Sequence, residues 1–91
     1  MELQLNDGEQ ITMTHTGLIQ GKNGKVIHVC FERKKDNGND YAEIVLPSRK
    51  VVCSKGFDEG ELAWLQLYLK DKEKKIIKNA KQLNHDLIFK L

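Results

Sequence analysis

His28 and Cys30 stand two residues apart in one alternating apolar run, Cys53 sits in a second, and His15 in a third. Imidazole nitrogens and thiolate sulfurs are the groups that hold zinc in a tetrahedron. The paired Cys-x-x-Cys spacing of structural zinc sites is missing, so no metal is assigned. A Cys–His nucleophile needs its thiol exposed in an electropositive spot. Val29 and Phe31 flank one thiol and Val52 and Ser54 the other, so both cysteines are expected to behave as small buried hydrophobes. A disulfide would need their strands to be neighbours, and with a start unlike an export signal free thiols are expected. No serine stands in a Gly-x-Ser-x-Gly elbow. Asp58, Glu59 and Glu61 cluster where the positive end of a helix dipole would draw them. Gly21-Lys22-Asn23-Gly24-Lys25 has the residue types of a phosphate loop, but it joins two strand-like runs and reads as a hairpin turn. No catalytic residue and no cofactor is assigned, and the chain is not read as an enzyme.

The remaining chemistry is charge. Residues 70–91 hold seven lysines against Asp71, Glu73 and Asp86, a local balance of +4 within a total of +2, which leaves −2 for residues 1–69. Lys70, Lys74, Lys78 and Lys81 recur at intervals of four, four and three, so they share a helix face that could track phosphates. Arginine, the usual reader of bases, occurs only as Arg33 and Arg49. Leu87, Ile88, Phe89 and Leu91 form an apolar tail that must dock or meet a partner. Phe89, Leu91, Lys74, Lys78 and Lys81 are therefore the candidate partner-binding residues. The partner is expected to be another protein or a second copy, with nucleic acid as the alternative.

The elements that position these groups follow from periodicity. Leu3 and Leu5 alternate with polar residues before an Asn6-Asp7-Gly8 turn. Residues 10–16 alternate again, with Ile11, Met13 and His15 opposite Thr12, Thr14 and Thr16, and Gly17 marks a bulge or bend. After the Asn23-Gly24 turn, residues 25–33 set Ile27, Val29 and Phe31 against Val26, His28, Cys30 and Glu32. An exposed loop at 34–39 leads to a strand at 40–46 with Ala42, Ile44 and Leu46 on one face. Pro47 stops it, and residues 50–54 form a short last strand.

Near Gly56 the period changes. Asp58 and Glu61 have the spacing of a capping box, and Phe57 and Leu62 that of a hydrophobic staple. Leu62, Leu65 and Leu69 make a core-facing stripe, with Trp64 and Tyr68 beside it. Phe57, Trp64 and Tyr68 are read as core or staple residues. Residues 70–75 are solvated, and a break capped by Asp71 is expected, giving two helices; one long helix is the alternative. Asn84-His85 is expected to end the helical segment.

His28-Val29-Cys30, Tyr41-Ala42-Glu43-Ile44 and Gly56-Phe57-Asp58 with Glu61-Leu62 carry a weak resemblance to a family of small uncharacterised bacterial domains. In that family a His-x-His strand and an acidic–apolar strand precede a Gly-Phe-Ser helix start. The likeness spans roughly residues 26–84. Some members look like companions of toxin–antitoxin systems, which implies a regulatory binding role in bacterial cytoplasm and no established activity.

At 91 residues there is room for one core, so residues 1–91 are one domain: a β-meander at 1–54, a helical segment at 57–84 and an apolar tail at 85–91. The fold class is α+β, a four- or five-stranded antiparallel meander with one or two C-terminal helices on one face. Its expected docking face is that of Ile27, Val29 and Phe31, with the opposite register as the alternative. No apolar run approaches the ~20 residues of a membrane helix, and the acidic, alternating start is unlike an export signal. A cytoplasmic, membrane-free protein is expected.

Overall fold

The computed structural model describes residues 2–4, 10–36 and 38–90, and the side chains of 10–36 and 38–84. The strands are β1 (Glu2–Gln4), β2 (Gln10–His15), β3 (Ile19–Gly21), β4 (Gly24–Arg33), β5 (Asp40–Leu46) and β6 (Lys50–Lys55). One helix, α1 (Glu59–Lys90), follows. Every pairing is antiparallel, in the order β1-β2-β4-β5-β6, and β3 shares with β2 the same edge of β4. Since β2 and β3 form one interrupted strand, the meander has five rows. Leu5, Asn37 and the Asn6-Asp7-Gly8 turn lie outside the described residues.

The interruption is a bulge. His15 pairs with Val29 and Ile19 with Val26, so residues 16–18 span the distance that Ile27 and His28 span on β4. Thr16 repairs part of the ladder: its N–H donates to His28 O at 3.0 Å, and its hydroxyl accepts from His28 N at 3.1 Å. The helix repairs the rest. Leu18 N–H donates to Asn84 Oδ1 at 2.9 Å, and Asn84 Nδ2 donates to Leu18 O at 3.2 Å, so one amide stands in for a strand neighbour. A Cβ on Gly17 would sit 2.2 Å from Asn84 Oδ1, which explains the glycine. Asn84→Ala should lower stability by about 1–3 kcal/mol, the cost of leaving partly buried backbone groups unpaired. Urea unfolding followed by circular dichroism checks this, and an unchanged midpoint would mean that water satisfies Leu18 equally well.

The core lies between one sheet face and α1. Ile11 and Met13, then Ile27, Val29 and Phe31, then Ala42, Ile44 and Leu46 are buried on the face expected to meet the helix. Leu65, Leu69, Ile76 and Ala80 close it, with Phe57 at the helix entry. The other sheet face, which includes Thr12, Thr14, Cys30, Glu32, Tyr41 and Cys53, is exposed.

Two expectations for the helical region need correction. First, α1 is one unbroken helix of 32 residues, about 48 Å long at 1.5 Å per residue, and does not break at Asp71. The apolar stripe passes from Leu69 to Ile76 without changing phase, and half-buried Lys72 and Glu73 fill the interval. The β5–β6 turn braces that interval: Gln66 Nε2 donates to Arg49 O at 2.7 Å, and Arg49 Nη1 lies 3.8 Å from Glu73 Oε1. Second, the helix does not stop at Asn84-His85. Asn84 is tied to the sheet through its side chain while the backbone remains helical through Lys90, so 85–90 continues the helix and is no separate tail. The side chain of Phe89 and the whole of Leu91 lie outside the described residues.

Candidate functional site

Four places could carry chemistry, and register decides what each can do. On the open sheet face, Cys30 pairs across to Glu43 and Glu43 to Cys53, with His28 beside them on β4. His28 Nδ1 donates to Glu43 Oε2 at 2.9 Å, and the Cys30 thiol points to Glu43 Oε1 at 4.0 Å. Desolvation, the Glu43 carboxylate and the neighbouring Cys53 push the Cys30 thiol up, away from the thiolate a nucleophile needs. Both cysteines are exposed, contrary to the expectation of burial. Val29 and Phe31, beside Cys30, belong to the opposite, covered face, because side-chain direction alternates along a strand, whereas Cys53 lies in edge strand β6, whose Val52 is itself 53% exposed. His15 is not part of this cluster: it shares the parity of Ile11 and Met13, and its Nδ1 donates to Thr16 O at 2.8 Å. Among the described residues, no group of three or more His, Cys, Asp or Glu side chains is arranged to hold a metal.

A second place, missed in sequence, is a buried arginine. Arg33 ends β4 on the covered face, and its side chain is only 4% exposed. Its Nε donates to Asp40 Oδ2 at 2.9 Å, its Nη1 to Glu61 Oε2 and its Nη2 to Gly56 O at 3.1 Å. The guanidinium carbon lies 4.5 Å from the centre of the Phe57 ring. Glu61 also closes the expected capping box: Asp58 N–H donates to Glu61 Oε1 at 3.0 Å and Glu61 N–H to Asp58 Oδ1 at 2.8 Å. Hydrogen bonds from Arg33 hold the Asp40 and Glu61 carboxyls below their ordinary range, aided at Glu61 by the Asp58 N–H. The signal for this network was parity. Arg33 continues the Ile27–Val29–Phe31 series, and Asp40 begins the Ala42–Ile44–Leu46 series on the facing strand. The guanidinium's partners Asp40, Gly56, Phe57 and Glu61 tie strand, loop and helix cap together as a structural latch.

The sheet edges are the third place. Short edge strands suggest pairing with another chain, but β6 is blunted. Glu43 pairs with Cys53 and Ile44 with Val51, so Val52 bulges out, and Lys50 and Lys55 bracket the strand. Bulges and edge lysines discourage strand addition.

The fourth place is the outer face of α1. Trp64 was expected in the core; instead it is 38% exposed, and Leu67 is 65% exposed. The Trp64 and Tyr68 rings stack with centroids 5.7 Å apart and planes 15° from parallel. Two turns on, Lys74, Lys78 and Lys81 are exposed as expected, and with Ile77 and Gln82 they line a shallow open groove. Among the described residues, neither these three lysines nor Lys70 has an acidic side chain within 4 Å. The helix face turned from the sheet is thus apolar near its start and basic beyond its middle.

Fold and surface together define an α+β antiparallel meander with one long helix across one face and a bipolar outer helix surface. No family model, curated protein or solved structure matches the chain. Among the described residues, no helix is long and apolar enough to cross a membrane.

Proposed function

We propose that the protein is a non-catalytic interaction module that binds another protein through the outer face of α1. The exposure of Leu67 beside Trp64, continuing into lysines that have no acidic side chain within 4 Å among the described residues, carries this reading. Single exposed apolar side chains are ordinary, but apolar side chains grouped on one face and bordered by charge mark interaction surfaces, and aromatic and cationic residues are common in energetic hot spots. Two free thiols suit a reducing compartment, and on that ground we assign the protein to the cytoplasm.

Charge reversal tests the reading. Lys74→Glu, Lys78→Glu and Lys81→Glu combined should leave the circular dichroism spectrum unchanged, because all three side chains are exposed. The immobilised native protein should retain from its host's extract a protein that the triple variant does not. Identical retention by both would remove the outer helix face from consideration.

The row of four lysines, with no acidic partner among the described residues, also supports nucleic-acid binding as a second reading. Four phosphate contacts predict that log K falls against log salt with a slope of about −3.6 on duplex DNA. An electrophoretic shift absent even at low salt for DNA and RNA would dismiss it.

A further inference from the structure

Resting on the reading just given, we infer that the occupant of the outer helix face is an acidic amphipathic helix, laid antiparallel to α1, whose carboxylates precede its apolar residues. The surface is ordered along the axis. Trp64 and Leu67 come first, and Lys74, Lys78 and Lys81 follow, with about 10 Å of helix between Leu67 and Lys74. A partner must set apolar side chains against the first group and carboxylates against the second. Two orientations could do so, and helix electrostatics separates them. In an antiparallel partner the carboxylates fall in its N-terminal half, where the positive end of its own dipole stabilises them. In a parallel partner they would fall near its C-terminus, where the same dipole opposes them. The antiparallel arrangement also sets the two helix dipoles head to tail.

A second copy does not supply this match. Pairing α1 with itself antiparallel about the middle of this surface, between residues 72 and 73, sets Trp64 and Leu67 of one molecule against Lys81 and Lys78 of the other, apolar surface on charge. A nucleic acid would satisfy the lysines and leave Leu67 wet. Partner chemistry is therefore narrowed to a helix with both features in one order.

Trp64 is the chain's only tryptophan and lies inside the proposed surface, so its emission reports occupancy directly. The probes are two synthetic 18-residue helical peptides of identical composition and free of aromatic residues. One has three glutamates in its first two turns and three leucines in its last two, and the other has the order reversed. A 20-nucleotide single-stranded oligonucleotide is the third probe. The acid-first peptide should bind at least tenfold more tightly than the reversed peptide. Leu67→Ser should weaken it about tenfold, and the triple lysine reversal should abolish the signal. Equal binding of both peptides would overturn the orientation, as would no response to either. Oligonucleotide binding unaffected by Leu67→Ser would overturn the protein occupant in favour of nucleic acid. Concentration-dependent dimerisation lost on Leu67→Ser, read by sedimentation, would overturn it in favour of a second copy. If lysine-dependent capture of a host protein persists while the peptides fail to discriminate, the interaction-module reading survives and this inference alone falls.

Discussion

Replacing Arg33 with alanine should lower stability by about 3 kcal/mol, the low end of the cost of removing one partner from a buried ion pair. A domain of this size has roughly 5–14 kcal/mol in total. The loss is large because Arg33 joins four otherwise separate pieces: the end of β4, Asp40 at the start of β5, the Gly56 carbonyl and the Glu61 carboxylate. Without the guanidinium, both carboxylates keep their charge close to a non-polar core. Equilibrium urea unfolding at pH 7 measures the loss, and a change below about 1 kcal/mol would mean that solvent already reaches the cluster. The network also sets the response to acid. Folded-state pKa values below the ordinary value of about 4 mean that the unfolded chain binds protons first. The contribution is fully present above that value and is lost as pH falls through the depressed folded values. The thermal midpoint should therefore hold from pH 7 to 5 and drop below 4. Arg33→Ala should show a shallower acid drop, since the carboxyls then lose the bonds that lowered them.

Gly56→Ala should cost about 3 kcal/mol or more, by a different route to the same cluster. Gly56 has φ +88°, and a Cβ there would lie 2.0 Å from Asp40 Oδ1 and 2.3 Å from its Cγ. Left-handed backbone costs a side-chain-bearing residue roughly 1–2 kcal/mol. The collision adds to this because Asp40 is not free to swing: Arg33 Nη2 holds its Oδ2 at 2.8 Å and Lys35 Nζ at 3.3 Å. Relief requires breaking the ion pair or shifting the loop into the helix cap. Thermal unfolding of the single variants and of the Gly56→Ala/Arg33→Ala pair checks this. The double variant should be clearly more stable than the sum of the single losses predicts, because both changes dismantle one network. Full additivity would place the strain elsewhere.

The architecture was legible wherever one residue's environment was set by its own segment. Two-residue alternation marked β4 and β5, and Asp58 with Glu61 fixed the helix start, because a capping box is complete within four residues. Gly17 was recognised as a bulge signal, but not its cause, since Asn84 lies 66 residues away. A break near Asp71 is expected if a small sheet is too short to support a continuous rod, yet α1 runs unbroken for 32 residues. Phase is what a sheet surface selects, and Ile76 and Ala80 remain in step with Leu65 and Leu69. Cys30 is exposed because its apolar neighbours Val29 and Phe31 belong to the other strand face, and Cys53 because β6 is a bulged edge strand with little cover. Trp64 is the reverse case: its type suggests a core, and only the direction in which α1 docks shows that it is partly turned away; Leu67, out of phase with Leu62, Leu65 and Leu69, is exposed as that phase implies. The lysines were the legible part of the candidate surface, since charge at a three-to-four spacing places a residue on a solvated face without tertiary knowledge.

The placement of Cys30 and Cys53 on either side of β5 has a practical consequence. Two strand spacings separate their backbones by about 10 Å, beyond the roughly 7 Å that a disulfide can span. A disulfide formed by air oxidation of a stored sample therefore joins one molecule to the next and is not an internal cross-link. Covalent multimers on a non-reducing gel would record the age of the preparation and nothing about its assembly. Serine at both positions removes that artefact from any measurement of stoichiometry.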